Sequence, residues 1–269
     1  MNQQASLWRR RLHPAASPAV ELNVDAPEGP HIAEPRLAAT VLLVRDGPLE
    51  VLMVKRGQAG SFPSKQVFPG GGVEPEDWSQ EWLARCSGAE GLDRQDIALR
   101  IAGLRECWEE TGVLRASGQF SLDRHYPGER PLADLMDHLA ASFELDTVAH
   151  FAHWTTPETA LKRWNTRFFI ARAPSIHQTW CDGRETVAAE WIEPALALEL
   201  SDRGERDLLF STKLNLHLLA GSATVEEAIL AARARPLFEV CPWTDTVGER
   251  FRARISPEAG YPVSEGWLD

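Results

Sequence analysis

The chain has 269 residues, enough to bury the core of one large domain or of two small ones. Its 43% hydrophobic and 25% charged residues are typical of a globular protein and exclude collagen-like and largely disordered chains. Acidic residues outnumber basic ones by 39 to 28, and the net charge of −11 argues against non-specific binding to nucleic acid. The longest apolar run, 38–44, is far shorter than the roughly 20 residues that cross a membrane, so we expect neither nucleic acid nor membrane as a partner.

The cysteine pattern and the first 20 residues bear on the cellular compartment of the protein. The four cysteines are widely spaced and form no C-x-x-C pair, which argues against a disulfide framework and a zinc site and fits a reducing environment. The first 20 residues contain no acidic residue, and no secretory segment follows them. We therefore expect a cytoplasmic protein in which residues 1–35 form a flexible leader.

Apolar periodicity predicts the elements that follow. Residues 38–44 and 51–54 are predicted as the buried strands of a hairpin, because Asp46-Gly47-Pro48 between them favours a turn. Helices are predicted over 93–111, 132–142, 195–200, 207–219 and 225–235, and further strands over 147–154, 167–173 and 187–192. No internal repeat or linker divides the chain. We expect one domain over 36–200, with an insertion at about 77–95, and a helical extension over 201–269 packed on it.

The helix predicted over 93–111 carries an acidic cluster near its C-terminal end. An apolar stripe marks one side of this helix, and Glu106, Glu109 and Glu110 span about 100° of the other side. These like charges repel one another and oppose the helix dipole, so a cation should compensate them. Mg²⁺ fits this role because it prefers oxygen ligands and joins protein carboxylates to substrate phosphates.

Three consecutive glycines, Gly70 to Gly72, follow the hairpin and allow the backbone to approach a ligand closely. We expect this loop to supply a backbone carbonyl, assigned to Gly70, as a further oxygen ligand. Together with the three glutamates, it predicts a centre for Mg²⁺ or Mn²⁺ that assists cleavage of a phosphoanhydride. The choice between the two ions stays open, because both accept the same carboxylates.

The histidines do not add to this centre. His150 and His153 lie in one predicted strand at an odd separation, so their side chains should face opposite sides of the sheet. A metal shared between them is therefore not expected.

These residues resemble the signature of the Nudix hydrolases, G-x5-E-x7-R-E-U-x-E-E-x-G-U, in which U is apolar. Gly70-x5-Glu76 is similar to its first part, and residues 105–113, R-E-C-W-E-E-T-G-V, are similar to its second part. The spacer between the parts has 28 residues, 77–104, where the family has seven. Two positions therefore remain for the first acidic residue of the signature. One is Glu76, and the other is the helix position two turns before Arg105, which Ile97 occupies with Asp96 beside it.

The resemblance implies an α/β Nudix fold, a mixed sheet sandwiched between helices. It also implies hydrolysis of a nucleoside diphosphate linked to another moiety, with Glu106, Glu109 and Glu110 holding the metal. Catalytic roles fall to Glu106, Glu109 and Glu185, the last as general base or extra ligand from outside the signature. Arg105 is expected to orient a carboxylate through a bidentate pair.

The segments on both sides of the long spacer look like the Nudix branch that contains the mammalian peroxisomal coenzyme A diphosphatase. That branch implies a small-molecule nucleotide substrate, coenzyme A or acyl-coenzyme A, cleaved to 3′,5′-ADP and a 4′-phosphopantetheine. Arg56, Arg163 and Arg167 are predicted to bind its phosphates, although Arg167 would equally suit a cap at the sheet edge. A separate coenzyme A signature is met only in part, because its second arginine is missing.

Other substrates and a different class of function stay open. The same chemistry would serve an ADP-ribose, dinucleotide or nucleotide-sugar pyrophosphatase. A non-catalytic Nudix module that senses a nucleotide is the alternative of another class, and the complete acidic triplet argues against it. The sequence leaves the oligomeric state undetermined.

Overall fold

The computed structural model describes residues 33–58, 63–117, 131–174, 179–181, 183 and 185–268. The predicted leader, 1–35, lies outside the described residues except for its last three. The strands of the described ranges are β1 Arg36–Arg45, β2 Glu50–Arg56, β3 Gln66–Val67, β4 Gly70–Gly72, β5 Cys86–Ser87, β6 Phe143–Glu144, β7 Ala149–Thr155, β8 Trp164–Arg172, β9 Thr186–Ile192, β10 Glu239–Val240, β11 Trp243–Val247, β12 Arg250–Arg254 and β13 Glu265–Trp267.

The helices are α1 Gln80–Leu83, α2 Arg94–Thr111, α3 Leu132–His138, α4 Pro194–Asp202, α5 Phe210–Leu219 and α6 Val225–Ala234. A short 3₁₀ turn, Pro75–Trp78, precedes α1. In the part of the chain that is described, each helix is too short or too polar to cross a membrane. The helix predicted over 132–142 ends early, because Ala140 adopts a positive φ of 48° that stops the helix.

A mixed sheet of eight strands forms the centre of the molecule. Its order is β10-β7-β8-β1-β2-β3, with β4 also paired to β1 and β9 also paired to β2. β1 runs parallel to β8, and β7 runs parallel to β10, while the other pairs in this sheet are antiparallel. The hairpin between β1 and β2 and the mixed sheet are both confirmed.

Helices cover both faces of this sheet. Successive residues of β1 alternate between the faces, so that Val41 and Leu43 pack with α2 and α3, whereas Leu42 and Val44 pack with α4, α5 and α6. This double burial explains why β1 is a continuous apolar run rather than an alternating one. The sandwich of a mixed sheet between helices is the predicted architecture.

The helix α2 has the predicted ends and lies very close to the sheet. The side chain of Asp93 accepts a hydrogen bond from the amide of Asp96, and Gly112 ends the helix in the left-handed conformation. A β-carbon added at Gly103 would lie 2.8 Å from Cγ2 of Val41 on β1. Glycine is therefore what lets this helix approach the strand, and that approach fixes where its carboxylates lie.

The predicted helical extension, 201–269, contains the helices α5 and α6 in its first half and the strands β10 to β13 in its second half. Residues 250–254, R-F-R-A-R, alternate polar and apolar side chains with a period of two. Val247 pairs with Arg250, so Gly248 and Glu249 form a two-residue hairpin turn. β13 adds to β12 and completes a small antiparallel sheet.

The structure also corrects the prediction that His150 and His153 face opposite sides. A bulge in β7 shifts the register between His150 and Ala152, so His150 lies opposite Phe169 and His153 lies opposite Arg167. Phe169 and Arg167 are two residues apart on β8 and share a face, and so do the two histidines. Each nevertheless has its own partner, Asp96 for His150 and Asn165 for His153.

Candidate active site

Arg105 lies at the centre of the acidic cluster and is held by Asp77 through two parallel hydrogen bonds. Nε of Arg105 donates to Oδ1 of Asp77 at 2.9 Å, and Nη2 donates to Oδ2 at 3.0 Å. The two side chains are only 8% and 0% exposed. This pair is the bidentate arrangement predicted for Arg105. Burial alone would lower the pKa of Arg105, but the carboxylates of Asp77, Glu106 and Glu109 raise it.

Sequence reasoning missed Asp77 and considered Glu76 and the position near Asp96 instead. Glu76 is exposed, and Asp96 pairs with Arg100 on another part of α2. Asp77 belongs to the 3₁₀ turn 75–78, where its carboxylate also accepts from the amide of Glu74 at 2.8 Å. Counting the G-x5-acid spacing from Gly71 rather than Gly70 would have pointed to Asp77.

The remaining nitrogen of Arg105, Nη1, gathers two of the predicted metal ligands. It donates to Glu106 at 3.0 Å and to Glu109 at 2.9 Å. Burial raises the pKa of Glu106 to about 7, with Arg105 opposing the rise and Glu109 adding to it. Burial likewise raises the pKa of Glu109, again against Arg105. The same arginine thus orients both carboxylates.

The glycines of β4 lie directly against the glutamate carboxylates of α2. A β-carbon at Gly71 would lie 2.4 Å from Cδ of Glu106, so only glycine leaves room for that carboxylate. The backbone amide of Gly70 donates to Oε2 of Glu110 at 3.0 Å. The glycine loop and the acidic helix end therefore meet, as the sequence predicted.

Glu110 is the most deeply buried of the three glutamates, with 4% of its surface exposed. Its Oε1 faces Nη1 of Arg56 on β2 at 3.4 Å. Burial raises the pKa of Glu110 to about 8, although the Gly70 amide and Arg56 both lower it. Its backbone carbonyl accepts from the hydroxyl of Thr186, which attaches the end of α2 to β9.

Glu185 completes the group from outside the helix. Its carboxylate lies 3.8 Å from Nη2 of Arg56, and its side chain is 68% exposed. Its charge adds to the rise in the pKa of both Glu106 and Glu110. The structure therefore brings Glu185 and Arg56 to the cluster at its solvent-facing side.

The other two predicted phosphate ligands do not join this cluster. Arg163 donates to the backbone carbonyls of Thr156 and Ala33. Arg167 lies on β8, and the acidic groups that act on its pKa are Glu239, Asp96 and Asp93 rather than the glutamates of the cluster. Their roles in substrate binding stay predictions.

The donor set suits a hard divalent cation. Arg105 and Asp77 neutralise each other, and among the described residues Arg56 adds a further positive charge, which contacts two of the four glutamates, Glu110 and Glu185. Carboxylate oxygens are the ligands that Mg²⁺ and Mn²⁺ prefer, and a cation would offset the repulsion between Glu106 and Glu110, which are largely buried. In the described residues, however, no three side chains already converge as metal ligands. Glu106 and Glu109 contact Arg105, and Glu110 contacts Arg56. A cation would have to compete with those contacts.

The fold and the acidic cluster define a class of protein. A family model described as NUDIX domain matches residues 34–211, and the chain belongs to that family. It is 32% identical over 244 residues to acyl-coenzyme A diphosphatase of Gallus gallus, covering 63% of this chain and 64% of that protein. Against the protein of the same name from Xenopus laevis, the identity is 24% over 205 residues, 56% of this chain and 54% of that protein.

The chain thus spans roughly half to two thirds of the length of the curated relatives it matches. A solved structure of a NUDIX hydrolase from Alicyclobacillus acidocaldarius aligns with a TM-score of 0.63 and 26% identity, over 76% of this chain and 100% of that chain. This similarity confirms the predicted Nudix fold.

Proposed function

We propose that the chain is a metal-dependent diphosphatase that hydrolyses a nucleoside diphosphate linked to another moiety, with coenzyme A or acyl-coenzyme A as substrate. The observation that carries the proposal is the group of four glutamates beside the glycine loop, to which the described part of the chain adds Arg56 as the one arginine not already neutralised by Asp77. The names of the Gallus gallus and Xenopus laevis relatives support the substrate class.

Glu106, Glu109 and Glu110, with the carbonyl of Gly70, would hold Mg²⁺ or Mn²⁺. When bound, a divalent cation would neutralise the charge that develops on the diphosphate and would lower the pKa of a bound water. Arg105 positions Glu106 and Glu109, because it contacts both at hydrogen-bonding distance. Gly71 leaves the space that the Glu106 carboxylate occupies.

Glu185 is suited to act as general base, because its exposed carboxylate lies at the solvent-facing side of the cluster. In the proposed reaction, water oxygen bonds to one phosphorus of the diphosphate and gives a proton to Glu185. The bond from that phosphorus to the bridging oxygen breaks, and the other phosphate leaves with the electron pair. For coenzyme A, the products are 3′,5′-ADP and 4′-phosphopantetheine.

Isosteric substitutions test the metal ligands. Glu106→Gln and Glu110→Gln should each abolish metal-dependent turnover while circular dichroism and thermal unfolding show an intact fold. The exposed neighbour Glu76 provides the matched control, and Glu76→Gln should keep wild-type turnover. Wild-type rates in either ligand variant would contradict the assignment of the site.

A substrate panel tests the rest of the proposal. Coenzyme A, acyl-coenzyme A esters, ADP-ribose and NADH are incubated with Mg²⁺ or Mn²⁺, and the products are identified by mass. Release of 3′,5′-ADP with the highest kcat/KM is the expected result. Faster hydrolysis of ADP-ribose or NADH would show that this compound, rather than coenzyme A, represents the substrate class. Saturable binding without turnover of any compound would indicate a sensing module.

A further inference from the structure

The two arginines of the candidate active site are held very differently. Arg105 makes every contact at 2.9 to 3.2 Å, to three carboxylates and to the carbonyl of Gly72. Arg56 approaches Glu110 only to 3.4 Å and Glu185 only to 3.8 Å. Hydrogen bonds between arginine and a carboxylate are ordinarily 2.7 to 2.9 Å long. Arg105 is thus a fixed part of the site, whereas Arg56 is held loosely.

One hydrogen-bond donor of Arg56 has no partner. Its Nε is buried, and among the described residues nothing accepts from it. A buried donor without an acceptor costs free energy, so this guanidinium has more to gain from a ligand with several oxygens than from its present neighbours. A diphosphate offers such oxygens in the planar, bidentate geometry that arginine favours.

The backbone of Arg56 is fixed although its side chain is loosely held. The residue ends β2 at a bulge in the pairing with β9, and its amide donates to the carbonyl of Lys65 at 3.0 Å. A change of partner therefore needs only rotation of the side chain. Oε1 of Glu110 faces the guanidinium at 3.4 Å, so a cation that binds this oxygen would have to displace Arg56.

We propose that Arg56 is an exchangeable counter-cation that competes with the divalent metal for Glu110. It neutralises Glu110 while no metal is bound, yields that carboxylate when the cation arrives, and turns to the phosphate oxygens of the substrate. This inference rests on the proposed function. Because the displaced guanidinium repels the cation until a phosphate compensates it, nucleotide and metal each strengthen the binding of the other.

Metal binding without nucleotide tests the competition. Isothermal titration with Mn²⁺ compares the wild type with Arg56→Gln, with Arg56→Lys, which keeps the charge, and with the surface control Arg203→Gln. Removing a unit charge beside a divalent ion should tighten Mn²⁺ binding on the order of tenfold in Arg56→Gln. The other two variants should bind within about threefold of the wild type. Unchanged or weaker Mn²⁺ affinity in Arg56→Gln would overturn the proposal.

The wild-type protein supplies a second readout that does not depend on the stability of Arg56→Gln. The Nε–Hε signal of Arg56 is assigned in the NMR spectrum by its loss in Arg56→Lys. Saturation with Mg²⁺ should move that signal, and subsequent addition of coenzyme A should move it again. A signal that stays in place through both additions would refute the exchange of partners.

The KM for coenzyme A at saturating Mg²⁺ completes the test, because Arg56→Gln should raise this KM while it tightens metal binding. The two proposals fail in different ways. If wild-type protein binds no Mn²⁺ and hydrolyses nothing in the panel, both are wrong. If the wild type binds Mn²⁺ and hydrolyses its substrate but Arg56→Gln binds Mn²⁺ no more tightly, only the role of Arg56 is wrong.

Discussion

At the scale of single residues, the buried pair of Asp77 and Arg105 organises the acidic cluster. Arg105 donates hydrogen bonds from two nitrogens to Asp77 and from the third to Glu106 and Glu109. An arginine buried without a carboxylate would pay a large desolvation cost, so the stability of this region depends on Asp77.

Substitution of Asp77 should therefore destabilise the fold. We expect Asp77→Asn to lower the free energy of unfolding by about 3 kcal/mol, because it leaves Arg105 as a buried cation without its counter-charge. Chemical denaturation measures the change. The neighbouring exposed Glu76 gives the control, and Glu76→Gln should stay within about 0.5 kcal/mol of the wild type. Equal stability of the two variants would show that the buried pair contributes nothing.

At the scale of elements, the site exists because β4 and the end of α2 pack together without side chains between them. β4 pairs with β1 through three glycines, and α2 crosses β1 at Gly103. This places the Glu106 carboxylate directly on the strand. The space for it is created by the missing β-carbon of Gly71.

Adding that β-carbon should impair activity more than stability. In Gly71→Ala the new methyl would lie 2.4 Å from Glu106, and the flexible carboxylate would have to move away. We expect at least about a tenfold loss of kcat/KM and of Mn²⁺ affinity, with the unfolding free energy within about 1 kcal/mol of the wild type. The matched control is Gly72→Ala, whose methyl meets Trp164 at an ordinary 3.6 Å. Equal activity of the two variants would contradict the close approach.

At the scale of the whole molecule, the net charge of −11 has a local component in the site. Glu106, Glu109, Glu110 and Glu185 lie close together, and their repulsion opposes the folded state. A ligand that binds only the folded chain stabilises it by mass action. A divalent cation should therefore stabilise this protein more than its ionic strength alone would.

Thermal unfolding with and without metal tests this expectation. At a Mn²⁺ concentration of 100 Kd, we expect a stabilisation of about 2.7 kcal/mol, observed as a rise in Tm. NaCl at matched ionic strength should give a smaller rise, and Glu110→Gln should abolish the difference between the salts. A rise that persists in Glu110→Gln would place the bound Mn²⁺ elsewhere.

The segment between β12 and β13 packs into the same core as the sheet, through Ile255, Ala259 and Tyr261. Tyr261 receives a hydrogen bond from the indole of Trp154 on β7 at 2.8 Å and donates to Asn215 of α5 at 2.9 Å. Asn215 is fully buried, so it depends on this hydroxyl. These contacts join Tyr261 and Asn215, both in the predicted extension, to the central sheet at β7.

Removing one oxygen atom tests that dependence. Tyr261→Phe should lower the unfolding free energy by about 2 kcal/mol, because it leaves Asn215 and Trp154 without a partner. Trp267→Phe, at a position 46% exposed in the same extension, should change it by less than about 0.5 kcal/mol. A single unfolding transition is expected in both variants. Two separate transitions would show that the extension folds on its own.

The sequence by itself determined the elements whose signals are local. The continuous apolar run of β1 indicated a buried strand, and Asp93 and Gly112 marked the ends of α2. The spacing of Glu106, Glu109 and Glu110 placed the three carboxylates together, because a helix converts short separations into a defined angle. The glycine loop was found for the same reason, since consecutive glycines are a local signal.

Only the tertiary structure decided which distant residues meet. Asp77 rather than Glu76 pairs with Arg105 across 28 positions, because a single residue of shift in a turn reverses which side chain points inward. The bulge in β7 put His150 and His153 on one face, which no alternation rule predicts. Of the three candidate arginines, Arg56 is the one that the described residues place against the glutamates, because its side chain extends from the end of β2 to Glu110 and Glu185. Periodicity describes one element at a time, whereas these contacts depend on how elements pack against one another.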